Sequence, residues 1–180
     1  MTVQSKKQDF LQYLGVETKS QATRTLLWAA LRHNLTYKDT ATAGDRRRFG
    51  IAFKKELVAL AERYQNGVTE NEHIGFIEEV AIRLSEAYGE ILQGDCLRIG
   101  TVQKGLNLYL KILWCLDPEW PTPPHCPIDR QILQAACIYS NWTDLNSLST
   151  YKDWIAKIKT QVVNGEYESL AEWELCTWKP

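Results

Sequence analysis

The sequence contains little of what metal-binding, disulfide-bonded or membrane proteins need. Its five cysteines are odd in number and no two have C-x-x-C spacing, so neither a disulfide framework nor a zinc ribbon is indicated. The three histidines, His33, His73 and His125, lie far apart, which argues against a metal-dependent hydrolase. No apolar run reaches the length of a membrane span, and the first residues lack the apolar core of a signal peptide. These absences predict a cytoplasmic protein with reduced thiols, no metal, no cofactor and no membrane contact.

Neither sign of charge is in large excess, because the formal net charge is −1. Such a molecule has no overall field that attracts nucleic acid, so nucleic acid binding would need a local basic patch. The composition, with 44% hydrophobic and 24% charged residues, is ordinary for a globular protein. The 180 residues predict a single domain, 1–180, with two lobes around a cleft as an alternative. Aromatic residues are plentiful: seven Trp and eight Tyr suit a rigid core, and also a pocket that stacks a planar ligand.

Hydrophobic residues recur at steps of three and four along nearly the whole chain. This spacing predicts long amphipathic helices over residues 20–35, 45–65 and 69–91, the last of which begins with the capping box Thr69-x-x-Glu72. No segment alternates apolar and polar residues as a strand does, and no internal repeat is present. The sequence therefore predicts an all-α fold of about eight helices.

One lysine and one aspartate stand out around a proline-rich loop. An apolar helix predicted over 101–116 carries Lys104 near its start, five prolines follow within 118–127, and Asp129 opens a helix predicted over 127–138. An amine nucleophile must lose its proton, which burial favours, and a carboxylate at a helix N-terminus stays ionised readily. The two side chains are a candidate reactive pair. The alternative is that Lys104 is exposed to solvent and Asp129 only caps its own helix.

The order of helix, glycine-containing hairpin, lysine-bearing helix and apolar-Pro-x-Asp segment resembles the helix-hairpin-helix DNA glycosylase superfamily. The hairpin glycine is Gly100 in Leu97-Arg98-Ile99-Gly100, and the last motif is Cys126-Pro127-Ile128-Asp129. Lys104 and Lys111, seven residues apart on the apolar helix, look closest to the archaeal-type 8-oxoguanine glycosylase branch. Related bacterial glycosylases remove hypermodified phage bases. The resemblance covers roughly residues 90–140.

The resemblance implies a function and a role for two residues. Lys104 would attack C1′ of an extruded nucleotide, and Asp129 would stabilise the positive charge that develops on the sugar. The partner would be double-stranded DNA containing a modified base, bound by a monomeric enzyme. The excised base would be of the 8-oxoguanine type, or a hypermodified phage base such as glucosylated hydroxymethylcytosine in anti-phage defence, with an AP-lyase step through a Schiff base as an option.

Base excision also needs a pocket for the extruded base and a grip on the DNA backbone. The candidates for the pocket are aromatic or polar side chains near the pair: Trp28, Trp114, Trp120, Trp142 and His125. The candidates for backbone contact are a glycine and four arginines: Gly100, Arg130, Arg46, Arg47 and Arg48. Each tryptophan also suits the core, and the arginine run also suits a solvated helix face. Two other functions stay open, namely a non-catalytic helix-hairpin-helix DNA-binding module and a helical protein-interaction domain.

Overall fold

Helices make up most of the chain in this computed structural model, which describes residues 2–31 and 36–179. The eight α-helices of the described residues are α1 (Val3–Leu14), α2 (Lys19–Leu31), α3 (Ala43–Ala61), α4 (Glu70–Tyr88), α5 (Ile99–Leu116), α6 (Arg130–Ala135), α7 (Leu148–Asn164) and α8 (Leu170–Thr177). The only strand-like pairing within these ranges is an isolated antiparallel bridge between Tyr37 and Leu92. The predicted all-α fold of about eight helices is confirmed. Leu35, predicted on the second helix, and His33 lie outside the described residues.

Helix α5 is the centre of the structure. All of its residues from Ile99 to Cys115 are buried, including polar ones, because the helix is apolar around most of its circumference and such a helix is stable only in a core. Helices α1 to α4 all pack against it. The helix that carries Lys104 is therefore held on several sides.

The N-terminus of α3 corrects the interpretation of the arginine run. The helix begins at Ala43, with a capping box in which the Thr42 hydroxyl accepts a hydrogen bond from the Asp45 amide and the Asp45 carboxylate accepts one from the Thr42 amide. Two amide groups of this helix end, those of Thr42 and Asp45, are thus satisfied within the protein, and an acidic side chain already lies beside the positive end of the helix dipole. The predicted capping box of Thr69 and Glu72 is also present.

Helix α6 is shorter than the 127–138 that the sequence predicts. It begins at Arg130 because Asp129 has an extended backbone and caps the helix, and the preceding residue is held in the loop by α5. It ends at Ala135, and Cys137 then adopts a left-handed backbone with φ of 55°, which stops the helix. Asp129, and not Pro127, marks the start of this helix.

Gly100 lies in the first turn of α5 and not in an exposed hairpin. A Cβ at this position would lie 2.3 Å from the carbonyl oxygen of Trp142, and the Gly100 amide donates a 2.8 Å hydrogen bond to the carbonyl of Leu145. The glycine therefore allows the short helical turn Trp142–Asp144 to pack directly on α5. Because its N–H group is used inside the protein, Gly100 does not offer that group to a DNA phosphate, and its assignment as a backbone contact is wrong.

Candidate active site

The structure brings Lys104 and Asp129 into direct contact. Lys104 Nζ donates a hydrogen bond to Asp129 Oδ2 at 2.6 Å. The side chains are 11% and 26% exposed, so the pair is shielded from bulk water without being sealed off. Lys104 therefore does not face bulk solvent, as the alternative interpretation required.

Asp129 has two functions in this geometry, one for each oxygen. Oδ2 accepts from Lys104, while Oδ1 accepts from the amide of Ile132 at 3.2 Å and so caps α6. Burial by itself raises the pKa of Asp129, but the Lys104 ammonium, its hydrogen bond and the Ile132 amide outweigh burial and lower the pKa below its ordinary value. The carboxylate is therefore ionised at neutral pH and presents a fixed negative charge beside the amine.

Gln103 fixes the distance between the two side chains. Its amide Nε2 donates to the carbonyl of Ile128 at 2.8 Å, and its Oε1 accepts from the amide of the same residue at 3.0 Å. Gln103 is fully buried and precedes Lys104, while Ile128 precedes Asp129. A two-point clamp thus joins α5 to the loop at the positions next to the pair.

We predict that Gln103→Met destabilises the protein by about 2–4 kcal/mol, since both the N–H and the C=O of Ile128 would be left buried without a partner. The free energy of unfolding from urea denaturation measures this. The matched control is Gln12→Met on the exposed face of α1, for which the change should stay within about 0.5 kcal/mol. Equal stability of the two variants would show that the clamp does not hold the loop.

A buried polar chain continues from this clamp across the core. The amide of Asn107 donates to the Cys126 carbonyl at 3.1 Å and to the Tyr151 hydroxyl at 3.2 Å, and the Tyr151 hydroxyl lies 2.8 Å from His125 Nδ1. His125 Nε2 lies 3.3 Å from a carboxylate oxygen of Glu70. His125 is fully buried and does not line the cleft described below, so its assignment to the base pocket is corrected to a structural role in the loop.

Because of this buried hydrogen-bonded chain, we predict that the protein loses stability in acid. Burial, with a smaller contribution from Lys159, lowers the pKa of His125 to about 3. The pKa of a histidine in the unfolded chain is about 6.5. Between these pH values the unfolded chain binds more protons than the folded one. The free energy of unfolding therefore falls as the pH falls through this window, by up to about 1.4 kcal/mol per pH unit for this residue. Urea midpoints at pH 7.5, 6.5 and 5.5 measure the slope.

His125→Gln is the control for that slope, because glutamine carries no titratable proton. Burial and the neighbouring His125 also lower the pKa of His73, so part of the pH dependence should persist in the variant. A slope unchanged from the wild type would contradict the assignment of acid sensitivity to His125.

A cleft of about 710 Å³ opens beside Lys104 and Asp129. Its aromatic residues come from α1, α2, the turn after α6 and the end of α8: Tyr13, Trp28, Trp142 and Trp178. The side chains of Tyr13 and Trp28 are 60% and 55% exposed, while Trp142 is buried. Large flat side chains that line a cleft and remain accessible are suited to stacking against a planar ligand.

The charge of this cleft differs from that of the whole molecule. Three cations and one anion line it: Lys104, Arg130, Lys179 and Asp129. Arg130 is exposed and makes no ion pair with any described residue. Because Lys104 is paired with Asp129, the cleft carries two further positive charges while the whole molecule carries −1.

Three of the predicted outer residues line the cleft together with the pair, namely Trp28, Trp142 and Arg130. Two do not. Trp114 is buried on α5 under the ammonium of Lys7, which lies 3.7 Å from its ring, and Trp120 is buried in the proline-rich loop. Both are core side chains, and their assignment to the pocket is wrong.

The arginine run also lies away from the cleft. Arg48 is paired with Asp45, and the guanidinium of Arg46 lies 5.3 Å from the ring of Tyr37. With the capping box at the helix end, Arg46 and Arg48 are accounted for by contacts within the protein, and neither they nor Arg47 line the candidate site.

Sequence reasoning missed Tyr13, Trp178 and Lys179. They lie near the two ends of the chain and meet because α1 packs against α8. Tyr13 gave one usable signal, since it is an aromatic residue on the polar face of an amphipathic helix. Nothing in the local spacing indicates that Trp178 lies near Lys104.

Within the described ranges, no helix is both long enough and apolar enough to cross a bilayer. No protein-family model, curated protein or solved structure matches the chain. A function is therefore inferred from the chemistry of the cleft.

Proposed function

We propose that the protein is a DNA glycosylase that excises a modified base from double-stranded DNA, as a monomer. The observation that carries the proposal is the 2.6 Å contact between Lys104 Nζ and Asp129 Oδ2 at the wall of an aromatic, locally cationic cleft. An amine beside a fixed carboxylate is suited to attack at an electrophilic sugar carbon.

The proposed reaction uses both members of the pair. Asp129 is ionised in the free protein, and once a bound nucleotide excludes water from the cleft the charged pair loses its hydration, which drives the proton from Lys104 to Asp129. The freed lone pair of Lys104 then forms a bond to C1′ as the bond from C1′ to the base nitrogen breaks. The base leaves with the bonding electrons and takes up the proton. Asp129, again ionised, lies next to the positive charge that develops on the sugar and stabilises it electrostatically. Opening of the sugar ring would then give a Schiff base on Lys104, from which strand cleavage can follow.

The cleft is suited to a nucleotide that is extruded from the DNA duplex. The glycosidic bond is inaccessible while the base is stacked, so the nucleotide must leave the duplex, and exposed aromatic rings offset the lost stacking. In this proposal Tyr13 and Trp28 make the contact, because both line the cleft and are exposed. The volume of about 710 Å³ lies in the range of small-molecule pockets and therefore does not favour 8-oxoguanine over a base enlarged by a sugar, such as glucosylated hydroxymethylcytosine.

The test is a panel of duplexes that contain 8-oxoguanine, glucosylated hydroxymethylcytosine or no modification. We expect the wild-type protein to form abasic sites in at least one modified duplex, and borohydride to trap a covalent complex with the same duplex. Binding of DNA without base release from any duplex would overturn the proposal in favour of a non-catalytic DNA-binding module. Absence of DNA binding at low salt would favour a protein-interaction domain.

A further inference from the structure

The aromatic side chain of Tyr139 is exposed to solvent, although backbone hydrogen bonds hold the loop that carries it. The side chain is 97% exposed. The neighbouring Ile138 is buried, and its amide donates to the Leu133 carbonyl at 2.8 Å, while the amide of Ser140 donates to the Ile138 carbonyl at 3.1 Å. The backbone on both sides of the ring is therefore fixed. A ring exposed in this way on a fixed backbone contributes nothing to the core and is accessible to a ligand.

The position of this ring links it to the candidate site. A second hollow of about 390 Å³ lies beside Tyr139, and it shares Arg130, Asn141 and Trp142 with the main cleft. The two hollows thus form one continuous surface. Arg130, which has no acidic partner among the described residues, lies where they meet, and Asp129 is the only acidic residue in either lining.

We propose that residues 137–141 form a second contact surface for the DNA strand, on which Tyr139 stacks against a base adjacent to the extruded nucleotide and Arg130 binds the phosphate between the two. This inference rests on the proposed function, since it places the reacting sugar at Lys104. A flat ring and an unpaired guanidinium on one accessible surface match a polymer that alternates bases and phosphates. Stacking on the ring requires no particular base, so this contact adds affinity without sequence preference.

The experiment measures the binding of the full-length protein to a fluorescein-labelled duplex that contains a tetrahydrofuran abasic analogue, at several salt concentrations. We expect Tyr139→Ala to weaken binding by about 5- to 100-fold and Tyr139→Phe to retain wild-type affinity, because the ring and not the hydroxyl makes the contact. Arg130→Ala should weaken binding and reduce the salt slope by about one. The matched control is Ile82→Ala, which removes another exposed apolar side chain far from the cleft.

A 2-aminopurine next to the abasic analogue reports the stacking directly. Its fluorescence should be quenched by the wild type and by Tyr139→Phe, and should stay high with Tyr139→Ala. Equal affinity and equal quenching for the wild type and Tyr139→Ala would overturn this inference, as would absence of wild-type binding to the probe.

Base release in the duplex panel is scored separately. Tyr139-dependent binding without base release overturns only the proposed reaction, and base release with no effect of Tyr139→Ala overturns only the second contact.

Discussion

Lys104→Gln is expected to abolish both base release and the borohydride-trapped adduct, with a loss of at least about 1,000-fold in single-turnover rate. The amide nitrogen of glutamine has no available lone pair, so no bond to C1′ can form. Rates on the modified duplex that the wild type cleaves measure the effect. Lys157→Gln, an exposed lysine on α7, is the matched control and should keep wild-type activity.

Asp129→Asn separates the two functions of the carboxylate. An asparagine oxygen can still accept from the Ile132 amide and cap α6, so the fold should be kept. The negative charge beside the sugar is lost, and we expect the rate to fall by about 100- to 1,000-fold. If either variant retained wild-type activity, the pair would not be the reactive centre.

Lys111→Met is expected to destabilise the protein by about 3–5 kcal/mol. Lys111 Nζ lies 2.5 Å from a carboxylate oxygen of Glu174, and the two side chains are 1% and 3% exposed. Removal of the cation leaves Glu174 as an uncompensated charge in the core. The free energy of unfolding from guanidinium denaturation at pH 7.5 measures the loss.

The double variant Lys111→Met with Glu174→Leu tests whether the unpaired buried charge of Glu174 causes the loss of stability. Its stability should return close to that of the wild type, because apolar residues of similar volume avoid the cost of burying either charge. Arg83→Met, which breaks the more exposed pair with Glu56, is the control and should cost less than about 1 kcal/mol, since solvent screens that contact.

The pH dependence of the single variant adds a second readout. Burial raises the pKa of Glu174, with Lys111 as the main opposing influence. Without Lys111 the folded state should take up a proton on Glu174 more readily than the unfolded chain does. The destabilisation should therefore shrink as the pH is lowered from 7.5 to 5.5, and a loss that grows instead would contradict the assignment.

The fold could be predicted from the sequence because the hydrophobic spacing repeats at three and four residues in nearly every segment. Asp129 could be predicted as a helix cap next to the prolines. Its contact with Lys104 could be anticipated only as an option. The buried amide of Gln103 brings the two together, and a lone glutamine on an apolar helix gives no sign of its partner.

The wrong predictions for residues around the Lys104–Asp129 pair have physical causes. Helix α5 is buried on all sides, so its spacing could not show that Trp114 does not line the cleft beside Lys104. The arginine run suggested an anion site because the capping box of Thr42 and Asp45 at the same helix end was not predicted. The walls of the cleft come from distant parts of the chain, and local patterns do not encode such packing.

The burial of α5 has a consequence for how this protein can acquire a new substrate. Lys104 belongs to a helix whose residues also form the core, so most changes around it cost stability before they alter chemistry. Tyr13 and Trp28 differ from it in that more than half of each residue is exposed to solvent. If the proposed glycosylase came under selection for a different base, substitutions should accumulate first at these two rim positions, while the amine and the helix beneath it stay unchanged.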